Sequence, residues 1–342
     1  MRRFWPLSAL VALGFSLCAP RPAGSGDTAA VPTFMRAYIR ASDAELKRLD
    51  RGEAVTRTLE SRGGREVSTI GAIRVRCTSD TYITRVRDIE RFKAGEYVLQ
   101  IGRFSPAPVV ADVEALTLDD EDRAALRACR IGSCALRLPA AAIDRFRTEV
   151  AWHSAGAAGA ADAVMRAFLA DEARTYWTQG ISALADYRDR PSTALTRAAA
   201  FHGLLRQSPF QAEFQPRLAA YLDGFPTVDD AGIEGFLYWS REKFGLKPVV
   251  NVTHSAILRR EDGVVAFASK QVYTSHYFDA SLGMSLFIPV PGTTDGYVTY
   301  LNRTRVEGLH GPLAGVIRSI ASRRGREGLG KNLLEVKKKL EM

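Results

Sequence analysis

The C-terminal end of the chain, residues 297–340, constrains the fold more than any other stretch. Residues 297–305 are rich in aromatic and β-branched side chains and predict a strand. A turn follows, and Gly311-Pro312 marks the start of a helix. Apolar residues then recur at helical spacing: Leu313, Val316, Ile317 and Ile320. The chain therefore ends as strand, turn and long helix, which predicts an α+β fold: a curved antiparallel sheet gripping the C-terminal helix, with a cavity between them.

The predicted terminal helix carries two apolar stripes that do not line up. The second stripe is Leu329, Leu333, Val336 and Leu340. At 3.6 residues per turn it lies nearly half a turn away from the first stripe. Gly325, Gly328 and Gly330 lie between the two stripes. We expect a kink or a break there; the alternative is that these small residues let the helix approach the sheet closely.

The other strands of the predicted sheet come from both ends of the chain. Residues 66–76 and 97–104 read as strands, and a helix over 79–92 lies between them. Residues 249–305 contain the remaining strands as hairpins, the first around the turn Glu261-Asp262-Gly263. Both ends of the chain therefore contribute to one sheet.

The intervening residues, 112–246, have a different composition. Alanine is frequent, β-branched runs are scarce, and helical apolar stripes follow one another. The last stripe, residues 236–244 with Tyr238 and Trp239, predicts an aromatic helix. This pattern divides the chain into residues 25–111 and 247–342, which build the sheet domain, and a helical insertion over 112–246.

The first 24 residues have the pattern of a secretory signal peptide. Arg2 and Arg3 precede an apolar run over residues 7–19, and small residues follow it. The run is shorter than the ~20 residues that a membrane span needs. We therefore expect export to the periplasm or the extracellular space, while lipidation at Cys18 stays open.

Three further cysteines bear on this localisation. Cys129 and Cys134 are close enough in sequence to close a small disulfide loop in an oxidising compartment. A metal site would need further ligands nearby, and no histidine lies close in sequence, so we expect no metal. Cys77 ends a predicted strand and is expected to be buried and inert.

The formal charge of +9 is concentrated at the C-terminus. Residues 318–340 hold eight arginines and lysines against Glu327 and Glu335. Such a run is typical of a solvated helix face, and it also suits contact with anionic lipid head groups. Nucleic acid is not an expected partner, because export separates the protein from it.

The order of these elements resembles the START/SRPBCC superfamily. Val67 to Phe92 resembles its opening strand and first helix, and Arg303-Thr304-Arg305 with Gly311-Pro312-Leu313 resembles its final strand and the entry to its last helix. The resemblance covers about 150 residues and implies a helix-grip fold that encloses a hydrophobic ligand. The helical insertion departs from the usual plan of that family. The family has no universal catalytic residues to transfer.

Polar residues on the later strands supply the candidate site. We predict ligand contacts from His254, Tyr273, His276, Arg303 and Trp239, because a mostly apolar pocket needs a few placed donors and acceptors. A catalytic alternative uses His276 with Asp279 and His254, since a histidine oriented by a carboxylate is suited to general-base work. No recognisable nucleophile motif accompanies them.

The sequence thus predicts an exported binding or carrier protein for a lipid or another hydrophobic small molecule, without a cofactor. The first alternative is a hydrolase or cyclase that uses the His/Asp cluster. The second alternative is a cell-envelope scaffold whose helical insertion is the interaction surface. The sequence does not decide the oligomeric state or the ligand.

Overall fold

A computed structural model of the chain describes residues 30–60, 65–191, 196–208, 215–243, 247–306 and 314–342. The predicted signal peptide, residues 1–24, and the predicted helix start at Gly311-Pro312 lie outside these residues. The export and lipidation predictions are therefore not tested by the structure.

Eight strands form one antiparallel sheet. They are β1 (Val55–Leu59), β2 (Glu66–Val75), β3 (Val98–Arg103), β4 (Ile233–Lys243), β5 (Pro248–Arg259), β6 (Val265–Thr274), β7 (Phe278–Pro289) and β8 (Gly296–Val306). Their order is β1-β2-β8-β7-β6-β5-β4-β3, so the last strand lies between β2 and β7. This arrangement confirms the predicted curved antiparallel sheet with a C-terminal helix.

The predicted aromatic helix over residues 236–244 is wrong, because β4 occupies residues 233–243 and pairs with β3 and β5. Phe236 and Tyr238 belong to one hydrophobic cluster, and Leu237 and Trp239 belong to the other. A strand that is buried on both faces reads as a continuous apolar run, which periodicity alone does not distinguish from a helix. The end of the 112–246 stretch therefore belongs to the sheet.

Ten α-helices lie within the described ranges. They are α1 (Ala30–Ile39), α2 (Asp43–Asp50), α3 (Ser79–Arg87), α4 (Ile89–Lys93), α5 (Asp120–Ala128), α6 (Ala140–Glu149), α7 (Ala157–Gln179), α8 (Arg197–Arg206), α9 (Pro216–Gly224) and α10 (Ala314–Leu340). No described helix is both long enough and apolar enough to cross a membrane. We call α5 to α9 the helical block.

Helices cover both faces of the sheet. The inner face packs against α3, α4 and α10; its cluster includes Ile73, Phe267, Phe287 and the helical residues Tyr82 and Leu333. The outer face packs against the helical block, where α8 contacts β7 and β8 while α7 and α9 contact β6. Side chains alternate between the two layers along most of each strand. The alternation is interrupted where β5 and β6 shift register at Val252 and Thr253, so that Tyr273 lies on the outer face.

Helix α10 is one unbroken helix through its three glycines, so the predicted break is wrong. A Cβ atom added at Gly325 would lie 3.6 Å from Cγ2 of Thr69 on β2. This distance supports the alternative, in which a small residue lets the helix approach the sheet closely. Leu329, Leu333 and Leu340 of the second stripe are buried on the inner face, whereas Ile320 of the first stripe is 40% exposed. The second half of α10 therefore anchors the helix.

The predicted disulfide between Cys129 and Cys134 is present, with a Cα–Cα distance of 4.4 Å. It closes the loop after α5, where Arg130 and Ser133 form a small antiparallel bridge. Cys77 is buried and unpaired, as expected, and burial raises the pKa of its thiol to about 12. A thiol with so high a pKa is a poor nucleophile at neutral pH.

Replacing Leu333 by alanine is expected to lower the free energy of unfolding by ~2–5 kcal/mol, because it removes a buried side chain from the contact between α10 and β2. Urea denaturation measures the change. The matched control is Leu334→Ala, whose side chain is 51% exposed one position further along the same helix. Equal effects of the two substitutions would show that α10 does not pack as described.

Candidate ligand-binding groove

Four of the five predicted ligand-binding residues lie on the outer face, beneath the helical block. Trp239 Nε1 donates a hydrogen bond to the backbone oxygen of Asp112 at 2.7 Å. Arg303 lies 3.5 Å from a carboxylate oxygen of Glu66, and Tyr273 is fully buried with its hydroxyl unpaired. His254 belongs to the same face. The structure therefore places these four on the face opposite the terminal helix, and their ligand-binding role stays a prediction.

His254 is the centre of a buried polar cluster on this face. Its Nδ1 lies 2.7 Å from the hydroxyl of Tyr176, and its Nε2 lies 3.4 Å from the hydroxyl of Tyr221. Burial, together with the nearby charge of Lys270, holds the pKa of His254 well below its usual range. The imidazole is therefore neutral at physiological pH and accepts or donates within a closed network.

Lys270 lies beside His254, and it was not among the site residues predicted from the sequence. Its Nζ donates to the backbone oxygen of Leu222 at 2.8 Å, near the C-terminal end of α9, and lies 3.9 Å from the ring centroid of Phe201. Burial lowers the pKa of this fully buried amine from its ordinary 10.5 to about 7. A carbonyl at a helix C-terminus and an aromatic face both favour the charged form, and they offset part of the cost of burial.

The three residues of the catalytic alternative make separate contacts. Nε2 of His276 lies 3.0 Å from a carboxylate oxygen of Asp122, and its Nδ1 lies 3.1 Å from the backbone oxygen of Ala135. Asp279 instead accepts a hydrogen bond from Arg137 at 2.8 Å. The histidine is thus oriented by Asp122, at the contact between α5 and the end of β6, and no described contact joins it to Asp279. A catalytic role for His276, Asp279 and His254 stays a prediction.

The buried amine of Lys270 predicts a pH-dependent stability. The unfolded chain keeps this proton up to about pH 10.5, whereas the folded protein releases it near pH 7. The free energy of unfolding is therefore expected to rise between pH 7 and pH 9, by up to ~1.4 kcal/mol per pH unit for one group. Lys270→Met removes this slope, and urea denaturation across the pH range measures it.

Lys331→Met is the matched control, because Lys331 is exposed on α10 and the variant should keep the wild-type slope. A Lys270→Met protein with the full wild-type slope would show that another group titrates in this window.

The inner face carries a band of neutral polar side chains across its middle. One row of directly paired positions runs Ser255, Ser269, Gly283, Asn302, Thr69 from β5 to β2. The adjacent row includes Thr253 paired with Gln271, and Ser281 paired with Thr304. Directly opposite residues of an antiparallel pair share a face. We call these side chains the polar band: Thr69, Thr253, Ser255, Ser269, Gln271, Ser281, Asn302 and Thr304.

The polar band is only partly covered, although it lies in the middle of an eight-stranded sheet. Ser269, Gln271, Ser281, Asn302 and Thr304 are half-buried, and they alternate with buried outer-face residues along their strands. The row of Ile257, Phe267 and Tyr300 beside the band belongs to the inner hydrophobic cluster, which α3 and α4 cover. The band is thus the open part of the inner face, bordered by apolar side chains.

Two buried polar atoms of the band have no hydrogen-bond partner. They are Oγ of Ser255, whose residue is fully buried, and Oε1 of Gln271. The amide nitrogen of Gln271 donates to Oδ1 of Asn251 at 3.0 Å, which orients its oxygen away from that contact. An unpaired buried donor or acceptor costs ~1–3 kcal/mol, so these two atoms are a local cost within the sheet.

Several charged side chains of the inner face are paired with one another. Lys93 Nζ lies 2.7 Å from Oε1 of Glu242, which also accepts a hydrogen bond from Ser240 at 2.6 Å. Burial opposes the charge of Lys93, but the attraction of Glu242 outweighs it and raises the pKa of the amine. Nearer α3, Glu234 pairs with Arg87, and Arg259 pairs with Asp80. These pairs border the polar band and leave the band itself uncharged.

Among the described residues of α10, the first half is less buried than the second half. Ala321 and Ser322 are half-buried, Gly325 lies close to Thr69 and Val67, and residues 323–328 are all exposed. Arg318 is also half-buried in this half, and its Nε atom is buried. The leucines that pack on the sheet belong to the second half. We call the space between the polar band and the first half of α10 the groove.

No cluster of three or more metal-ligating side chains occurs in the described parts of the chain. A cavity between the sheet and the terminal helix was predicted, but most of the residues that line the groove were not. The alternation of Thr253 with Ser255 and of Ser269 with Gln271 is the sequence signal that could have found them.

Comparisons with known proteins are sparse. No family model matches the chain, and no curated protein matches its sequence. Among solved structures it is similar to the Zhui aromatase/cyclase from Streptomyces sp. R1128, with 12% identity and a TM-score of 0.24. That match covers 37% of this chain and 81% of the other. A likeness of this size carries no argument about activity, so the functional conclusion depends on the groove.

Proposed function

We propose that the protein is an exported binding or carrier protein for a hydrophobic small molecule, which it holds in the groove between the inner face and α10. The observation that carries the proposal is the strip of half-buried polar side chains (Ser269, Gln271, Ser281, Asn302 and Thr304) in the middle of an eight-stranded sheet whose central strands are otherwise mostly buried. A sheet centre is normally closed by packing, so an open strip bordered by apolar side chains has the character of a ligand site.

The border of the groove supplies the apolar contacts. Val67 and Tyr300 are half-buried on the inner face, and Ile320 of α10 is exposed near the same end of the sheet. A ligand with an alkyl or ring body would bury these side chains and contribute ~25 cal/mol for each Å² of apolar surface removed from water. Because the outer face is filled by the helical block, the groove is the better candidate for this role.

Export is part of the proposal. The first 24 residues have the charge and hydropathy pattern of a secretory signal peptide, and the Cys129–Cys134 disulfide suits an oxidising compartment. A carrier outside the cytoplasm has a physical use, because hydrophobic molecules partition poorly into the aqueous space that they would have to cross.

Filling the groove should abolish ligand binding. We expect the mature protein to bind the apolar probe N-phenyl-1-naphthylamine with saturable fluorescence enhancement. Ser269→Phe places a ring in the middle of the groove and is expected to weaken this binding at least about tenfold, the equivalent of ~1.4 kcal/mol. Fluorescence titration measures the change.

The control is Ser154→Phe, which adds the same ring at an exposed position outside the sheet, between α6 and α7. Probe binding that survives in Ser269→Phe, or that is absent from the wild type, would contradict the proposal. Organic extraction and mass spectrometry of the protein purified from its native host identify the ligand class independently.

The outer surface of α10 adds a proposed partner, an anionic membrane surface. Arg323, Arg324 and Arg326 are exposed on the first half of the helix, which borders the groove, and Lys331 is exposed at the start of the second half. In this stretch Glu327 is the one acidic residue. Contact of this surface with anionic head groups would bring the groove close to a bilayer, from which a hydrophobic ligand is taken or to which it is delivered.

Reversing these charges should weaken membrane binding. The triple variant Arg323→Glu, Arg324→Glu, Lys331→Glu is expected to lower affinity for vesicles containing phosphatidylglycerol by at least about a hundredfold, since each basic residue contributes ~1 kcal/mol. Vesicle co-sedimentation at low salt measures it. The control, Arg147→Glu, Arg188→Glu, Arg206→Glu, makes the same charge change at exposed positions outside α10. Equal losses of vesicle affinity in both variants would show that membrane binding depends on the net charge of the protein and not on the basic residues of α10.

A further inference from the structure

We infer that a cavity at the surface of the helical block binds a small oxyanion of the phosphate or sulfate type, either free or as part of a monoester. The cavity has a volume of about 420 Å³ and lies where the loop after α5 meets the turn after α6. Its lining includes Arg127, Arg130, Ala151, Trp152 and His153. The helical block covers the outer face of the sheet, so this site is separate from the groove and goes beyond the proposed function.

Two anchored loops hold the lining side chains in place. Arg130 belongs to the loop that the disulfide between Cys129 and Cys134 closes, and Cys129 is part of the hydrophobic core. The turn after α6 is anchored by buried Val150 and by Trp152, whose Nε1 donates to a backbone oxygen of α6 at 3.0 Å. Because both loops are tied to the core, a ligand that binds between them has little chain to order.

The two arginines form no ion pair with a carboxylate among the described residues. Nη1 of Arg130 donates to the backbone oxygens of Cys129 at 2.7 Å and of Arg127 at 3.3 Å, which orients its planar head at the C-terminal end of α5. Nη2 of Arg127 lies 3.4 Å from Nδ1 of His153. Each guanidinium carries five N–H donors, so both arginines keep donors for a ligand after these contacts are made.

The charge around the cavity favours an anion. Among the described residues that line it, none is acidic. The carboxylates of the neighbouring helix α6 are engaged elsewhere, since Asp144 lies 3.2 Å from Arg147 and Glu149 lies 2.8 Å from Arg145. The cavity therefore has a net positive charge that no neighbouring carboxylate of α6 neutralises.

The type of cation narrows the choice of ligand. The planar fork of a guanidinium matches two oxygens of a phosphate or sulfate group, and such charge-assisted hydrogen bonds are stronger than those between neutral groups. The half-buried ring of Trp152 lies in the same lining and offers an apolar contact to the organic part of a monoester. A neutral or cationic molecule would gain nothing from the two arginines.

Isothermal titration calorimetry of the mature protein with phenyl phosphate at low salt tests the site. The wild type is expected to bind one equivalent saturably and to show no binding of phenol, which lacks the charge. Arg127→Met with Arg130→Met should weaken the binding at least about tenfold, because it removes charge-assisted hydrogen bonds. The matched control, Arg91→Met with Arg206→Met, removes the same charge at exposed positions outside the cavity and should keep the wild-type affinity.

Inorganic phosphate distinguishes the two sources of the oxyanion. Tighter binding of phenyl phosphate than of inorganic phosphate would assign the site to a monoester whose organic part contacts Trp152. Equal affinities would assign it to the free ion. Both results support an oxyanion site, and N-phenyl-1-naphthylamine binding in the groove should be unchanged in the arginine variant.

A second variant keeps the test independent of the arginines, whose contacts with backbone oxygens also stabilise the loop. Ala151→Glu places a carboxylate in the cavity at an exposed position and should weaken phenyl phosphate binding at least about tenfold by charge repulsion, whereas Ala151→Gln adds a similar volume without charge and should retain binding. Absence of saturable binding by the wild type, an affinity that survives Ala151→Glu, or equal losses in the arginine variant and its control would overturn the inference.

Discussion

The antiparallel ladder between β2 and β8 holds the two ends of the chain together, and the rest of the structure depends on it. It pairs every residue from Glu66 to Val75 with a residue between Gly296 and Arg305. This ladder places β8 inside the sheet, so the helix that follows it begins beside β2 and returns across the inner face. Pairing two strands so far apart in the sequence costs conformational entropy, because a large loop must close. Burial of apolar surface on both faces of the sheet offsets that cost.

The two faces of the sheet have different roles as a consequence. On the outer face, the helical block covers the sheet closely, so buried polar groups pair within the protein. His254 pairs with Tyr176, and Lys270 donates to a backbone oxygen. Lys270 is also a titrating amine in the core. On the inner face, α3, α4 and the second half of α10 fill only part of the surface. The unfilled part is the polar band. The protein thus combines a sealed layer with a partly covered layer that contains the polar band.

The sequence predicted much of the fold because its strands and the terminal helix have local signals. The turn at Gly263 lies in the left-handed region with φ +79°, and the hairpin predicted around it is present as β5 and β6. Prediction failed at β4, since a strand buried on both faces has no alternation to detect. The predicted ligand-binding residues include the more conspicuous polar side chains His254, Tyr273 and Arg303, which lie on the outer face and whose role stays a prediction. Serine and threonine at alternate positions attracted less attention than histidine and arginine, although they line the open face.

The amino-acid sequence by itself determined which residues share a face over most of each strand, because the period of two is a property of the backbone. Tyr273 is an exception, since the register shift between β5 and β6 moves it to the face opposite Gln271. The sequence also determined the disulfide loop and the presence of a long terminal helix. Only the tertiary structure decided which face meets the helical block and which meets α10. That choice depends on how the separate apolar surfaces of helices and sheet are buried together. One step along β5 separates His254 in the sealed layer from Ser255 in the polar band, and no local pattern in the sequence distinguishes the two layers.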